Sequence, residues 1–133
     1  MIKVLLVDDQ PSVRQGLRMR IELESDLTVV GEADNGLEAI SLAQELGPDV
    51  VVMDVAMPEM DGITATERLR EFAPSVSVVM LSILGDAVTQ VLAREAGAAA
   101  FVEKQASVEL LLAEIRRAVE EQQGKPMEQR CKR

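Results

Sequence analysis

The chain has 133 residues, enough for one domain with one substantial core, and its 23 acidic against 14 basic side chains give a net charge of −9. It has no histidine, one cysteine (Cys131) and two aromatic residues (Phe72 and Phe101), which excludes imidazole chemistry and a disulfide framework and argues against base stacking on aromatic platforms. The last ten residues, GKPMEQRCKR, hold four basic groups and one acid, so the rest stands at −12 and repels the phosphates of nucleic acid.

In chain order, short continuous apolar runs alternate with stretches of helical spacing. Ile2–Val7 predicts a first strand that runs into Asp8 and Asp9. Pro11 suits a helix start, and Val13, Leu17 and Ile21 then share a face. Leu27–Val30 predicts a second strand, followed by a helix whose Leu37, Ile40 and Ala43 share a face and which Gly47-Pro48 stops. Val50–Met53 predicts a third strand, with Asp54 after it and a helix carrying Ile63, Thr66 and Leu69 on one side. Val76–Leu81 predicts a fourth, followed by Ser82 and by a helix presenting Val88, Val91, Leu92 and Ala96, with Gly97 as a left-handed cap. Ala99–Val102 predicts a fifth, with Lys104 after it. The clearest amphipathic helix comes last, on Val108, Leu111, Leu112, Ile115 and Val119. Beyond about Gln122 the periodicity stops, and 123–133 reads as a loose tail or the start of a linker. Five β–α units with unbroken apolar strands predict an α/β fold, its mainly parallel sheet covered on both faces. The lone cysteine suits a reducing cytoplasm, and no apolar run has the length of a membrane span.

Ligands of such sheets gather at the carboxyl ends of the strands. Asp8 and Asp9, Asp54, Ser82 and Lys104 stand there after four different strands. Two carboxylates about 4 Å apart repel by about 4 kcal/mol at an effective dielectric of about 20, so three together need cations. Lys104 supplies one positive charge and a divalent ion the rest; oxygen-only ligands select a hard ion such as Mg²⁺. A carboxylate beside Mg²⁺ and lysine can act as a nucleophile on phosphorus, and a hydroxyl at Ser82 can bond a phosphoryl oxygen. Singly, each residue has a plainer reading: adjacent aspartates as a turn or helix cap, Asp54 as a loop acid, Lys104 as a solvated lysine. Their placement after four strands of one sheet carries the functional reading.

The segments VLLVDD (4–9), VVMDVAMPEMDG (51–62), VVMLS (78–82) and AAAFVEK (98–104) resemble the receiver domain of two-component response regulators, over residues 1 to about 122. VDDQPSVRQGL and LTVVGEADNG are most similar to receivers that precede a helix-turn-helix output domain of the nitrate-response or quorum-sensing type. The resemblance implies a doubly wound, flavodoxin-like (βα)5 fold with strand order 2-1-3-4-5. It implies Asp54 as phosphoacceptor for a sensor histidine kinase, and Mg²⁺ held by Asp8, Asp9, Asp54 and the backbone carbonyl of Ala56. Lys104 would contact the phosphoryl group, while Ser82 and Phe101 would form a switch acting through the fourth helix, fifth strand and fifth helix. It further implies a signalling domain that catalyses only its own phosphorylation and dephosphorylation, a possible homodimer on phosphorylation, and DNA bound by a separate output domain. The chain departs from the commoner pattern at Gln105, where many receivers have proline, at Phe101, where tyrosine is commoner, and at Ile83, where small residues are common. Phe101 also reads as a core aromatic, and Ile83 is expected to narrow access to the phosphoryl group.

Two other classes fit less well. A dehalogenase-like phosphatase needs a second acid two residues after its nucleophile, where this chain has Ala56. A flavin carrier needs a phosphate cradle in the first loop, where Asp8 and Asp9 repel phosphate. A stand-alone receiver or a phosphorylation-independent binding module remains an alternative.

Overall fold

The structure, a computed structural model, describes residues 1–83 and 85–124. The apolar runs become strands β1 (Ile2–Val7), β2 (Leu27–Ala33), β3 (Val50–Asp54), β4 (Ser77–Ser82) and β5 (Ala100–Glu103). Alternating with them are helices α1 (Pro11–Ile21), α2 (Gly36–Leu46), α3 (Gly62–Phe72), α4 (Ala87–Ala96) and α5 (Val108–Gln123). All strand pairs are parallel and the order is β2-β1-β3-β4-β5, the flavodoxin-like arrangement that the resemblance implies. The order reverses between β1 and β3, so the carboxyl ends of these two strands flank the switch point where such sheets bind ligands.

Unbroken apolar strands feed two cores because successive side chains point to opposite faces. Val4 and Leu6, with Val50, Val52, Val79 and Leu81, meet Ile21 of α1 and Leu111, Leu112, Ile115 and Val119 of α5. Leu5 and Val7, with Val51, Met53, Val78 and Met80, meet Ala39 and Ala43 of α2, Ala65 and Leu69 of α3, and Ala93 of α4. Both cores are aliphatic: Phe72 is exposed, and Phe101 only borders the second core.

Two predicted helix faces differ from the structure. On α2 the buried side is Gly36, Ala39 and Ala43, while Leu37 is exposed. On α4 only Ala93 and Ala96 are buried; Val88, Val91 and Leu92 are 70%, 50% and 46% exposed. Close approach of a helix to the sheet selects small side chains, so the larger apolar residues turn outward. Strand ends shift as well. Asp54 and Ser82 are the last residues of their strands rather than the first after them, and β2 runs three residues beyond Val30. Gly47 and Gly97 take the left-handed conformation as caps, with φ of 58° and 112°. Helix α5 continues to Gln123; the remainder of the predicted tail, 125–133 with Cys131, lies outside the described residues. Among the described residues no helix is long and apolar enough to cross a membrane.

Candidate functional site

Asp8 leaves β1 and is 1% exposed, and a buried carboxyl group needs its contacts fully accounted for. Its N–H donates to Ala33 O at 3.1 Å, continuing the ladder to β2. Its Oδ1 accepts from the Gln10 N–H at 2.9 Å, and its carbonyl accepts from Arg14 Nη1 at 2.5 Å. Its Oδ2 pairs with Lys104 Nζ at 3.0 Å and has no other partner among the described residues.

Asp54 ends β3, at 5% exposure. Its Oδ2 accepts from Lys104 Nζ at 3.1 Å and its Oδ1 from the Ala56 N–H at 3.4 Å. Burial pushes the Asp54 carboxyl above its usual range; Lys104 pulls it down and the charge of Asp8 adds to the rise. For Lys104, burial works against the charge, but the carboxylates of Asp8 and Asp54 outweigh it and the pKa is raised. The lysine therefore stays cationic between two carboxylates. The Lys104 N–H donates to Ser82 O at 2.7 Å, tying the end of β5 to the end of β4.

Asp9 is exposed and completes the cluster: oxygens of Asp8, Asp9 and Asp54 lie within 4.8 Å of one another. Three carboxylates against one ammonium leave two negative charges. A buried Asp8 oxygen with Lys104 as its one cationic neighbour, within an all-oxygen donor set, fits a hard divalent cation, the Mg²⁺ that receiver domains bind at an acidic pocket.

The cluster opens into a cleft of about 450 Å³ lined by Asp9, Gln10, Asp54, Ala56, Ser82 and Lys104, among others. The structure thus brings Asp8, Asp9, Asp54, Ala56, Ser82 and Lys104 together at one end of the sheet. Ser82 is buried at the cleft wall. Phe101 is half-buried outside the cleft, on the β5 side that faces Ala93 and Arg94 of α4. Ile83 is 59% exposed at the cleft rim. Gln105 is exposed, and the described residues contain no cis peptide.

Sequence reasoning missed Asp86 and Thr89, which also line the cleft. Asp86 caps α4 by accepting from the Thr89 N–H at 2.7 Å. An aspartate just before a helical stretch is the N-cap signal that could have found it. Also missed was a pair on α1, Arg14 and Arg18, which brackets Glu32 of β2.

Comparison with known proteins agrees with this geometry. Residues 4–116 match the response regulator receiver domain family. The response regulator GacA of Pseudomonas aeruginosa is 43% identical over 117 residues, 87% of this chain and 54% of that protein. The nitrate/nitrite response regulator protein NarL of Escherichia coli is 37% identical over 115 residues, 86% of this chain and 53% of that protein. This chain spans about half the length of such curated relatives. A solved DNA-binding response regulator of the LuxR family from Staphylococcus aureus superposes with a TM-score of 0.84 at 27% identity, covering 90% of this chain and 99% of that one. With its fold, its acidic cluster and these relatives in agreement, the chain belongs to the receiver domain family of two-component response regulators, on the side of the nitrate-response and LuxR-type regulators.

Proposed function

We propose that this receiver takes a phosphoryl group onto Asp54 from a sensor histidine kinase, and that Asp8, Asp9, Asp54 and the backbone carbonyl of Ala56 hold Mg²⁺ for that step. The observation that carries the reading is the convergence of Asp8, Asp54 and Lys104, with contacts of 3.0 and 3.1 Å, beside a cleft that Asp54 and Lys104 line. A carboxylate oxygen of Asp54 forms the O–P bond as the donor's N–P bond breaks. Lys104 stays charged and presents its ammonium to the phosphoryl oxygens. Ser82 offers its hydroxyl from the cleft wall. When bound, the metal supplies positive charge that offsets the oxygens of the transferring group. Phosphorylation and its reversal happen on the domain's own aspartate, so no substrate is turned over.

The signal then passes through α4, β5 and α5, where Phe101 lies against α4 and Val88, Val91 and Leu92 are exposed. The receiver ends with α5, and the chain beyond it begins a linker to a DNA-binding output domain, by analogy with the Bacillus subtilis transcriptional regulatory protein LnrK, about half of whose length this chain spans. Phosphorylation favours a homodimer, and the domain itself, with its acidic body, binds no nucleic acid. Its place is the cytoplasm, beside the kinase's phosphorylated histidine.

Intact mass tests the reading. Protein incubated with Mg²⁺ and acetyl phosphate is expected to gain one phosphoryl group, and none when EDTA is present. No gain, even with beryllofluoride as a mimic, would leave a phosphorylation-independent binding module. Ile83 gives a second check. Because it stands exposed on the cleft rim, Ile83→Ala is expected to speed both phosphorylation by acetyl phosphate and dephosphorylation severalfold. Unchanged rates in both directions would show that Ile83 does not gate the cleft.

A further inference from the structure

Helix α1 begins differently from the other helices. Asn35, Asp61, Asp86 and Ser107 each accept a backbone N–H as side-chain caps of α2, α3, α4 and α5. Gln10 gives α1 no side-chain cap, and Pro11 and the first turn add no acid. The loop bearing Asp8 and Asp9 is therefore not held by the usual device. Moreover, Arg14 stands at the fourth helical position, where its charge opposes the helix dipole.

The structure shows what Arg14 does instead. Its Nη1 donates to the Asp8 carbonyl at 2.5 Å and its Nε donates to Glu32 Oε1 at 3.1 Å. Its side chain is 18% exposed, so these bonds are partly shielded from water. The Asp8 carbonyl has no ladder partner because β2 ends at Ala33. One guanidinium thus ties the end of β1 to α1 and to β2. Arg18, one turn on, holds the other Glu32 oxygen at 2.7 Å but does not touch Asp8.

We infer that Arg14 is a positioning residue for the acidic pocket: by fixing the Asp8 carbonyl against Glu32, it sets where Asp8 and Asp9 present their carboxylates to a divalent cation. With Asp8 held at its N–H, its carbonyl and Oδ1, its Oδ2 has one direction left, toward Lys104 and Asp54. Glu32 keeps the guanidinium occupied outside the cluster, so the arginine does not fill the place of the ion. This inference rests on the reading of Asp8, Asp9 and Asp54 as metal ligands.

The test is calorimetric titration of Mg²⁺ into wild type and four variants, with hydrogen exchange at the Gln10 amide as a second readout. Wild type is expected to bind, and Asp9→Asn to bind more weakly; equal binding by these two would overturn the metal reading itself. Given that difference, Arg14→Gln is expected to weaken Mg²⁺ about tenfold, as loss of an outer-shell partner does, and to speed exchange at Gln10. Arg18→Gln, which breaks the companion ion pair and spares the Asp8 carbonyl, is expected to change neither. Arg14→Lys can hold the carbonyl or Glu32 but not both, and is expected to lie between. Wild-type affinity in Arg14→Gln, or equal losses in Arg14→Gln and Arg18→Gln, would overturn the positioning role. Should Arg14→Gln fail to fold, Arg14→Lys decides: weaker binding with faster Gln10 exchange supports the role, and wild-type values overturn it.

Discussion

Asp54→Asn protein is expected to take up no phosphoryl group under conditions that load wild type fully, and in EDTA it is expected to melt at a higher temperature than wild type. The first half comes from chemistry: an amide is no nucleophile toward phosphorus, and Asp8, the other carboxylate beside Lys104 at 3.0 Å, is 1% exposed and does not line the cleft as Asp54 does. The second half comes from the direction of the Asp54 pKa. Burial raises it, Lys104 lowers it and Asp8 raises it again, with a net rise from 3.8. A carboxyl that holds its proton more tightly folded than unfolded disfavours folding once ionised. That penalty begins as pH climbs past the ordinary value and is complete above the folded one. Asparagine keeps the shape and drops the charge, and Lys104 keeps Asp8 as partner at 3.0 Å. Intact mass and thermal melts check the two halves separately. Uptake equal to wild type would move the phosphoacceptor elsewhere. A lower melting temperature would mean that the Lys104 contact outweighs the burial of Asp54.

The fold was legible because its central strands are buried on both faces and read as unbroken apolar runs with no competing helical pattern. The site was legible for a related reason. Each of these apolar runs gives way to polar residues within one or two positions, so Asp8, Asp54, Ser82 and Lys104 could be placed at the carboxyl end of the sheet from chain order alone, even though Asp54 and Ser82 prove to be the last residues of their strands. What escaped depends on distances that periodicity does not carry. Apolar spacing ranks Leu37 and Val88 above alanine, but α2 and α4 lie close to the sheet, where Ala39 and Ala93 fit and leucine or valine does not. On α2 a Cβ at Gly36 would come within 2.8 Å of the Met60 carbonyl oxygen. The end of β2 was hidden because Glu32 looks like a loop residue until Arg14 and Arg18 are seen to neutralise it. Asp86 and Thr89 reach the cleft only through the path of the β4–α4 connection.

Gly62→Ala is expected to cost about 2 kcal/mol or more of stability by denaturant titration, within the range for overpacking, and to slow phosphorylation of Asp54 at least severalfold. Gly62 opens α3, and its N–H donates to Val55 O at 2.8 Å. Its backbone is not in the left-handed region; space, rather than φ, is what demands glycine. A Cβ there would lie 2.3 Å from the Asp54 carbonyl oxygen, 3.1 Å from its carbonyl carbon and 2.7 Å from Met80 Cε. The methionine end can swing away, but the Asp54 backbone can yield only by shifting the end of β3 and with it the Asp54 carboxylate. The defect therefore reaches the site as well as the fold. Gly16→Ala is the matched comparison. Gly16 lies within α1, and a Cβ there meets nothing within 4 Å. The same exchange is expected to stabilise by about 0.5–1 kcal/mol, through helix propensity alone, and to leave phosphorylation unchanged. Opposite signs at the two glycines are the expected result. A Gly62→Ala protein as stable and as readily phosphorylated as wild type would show that α3 can retreat without moving Asp54.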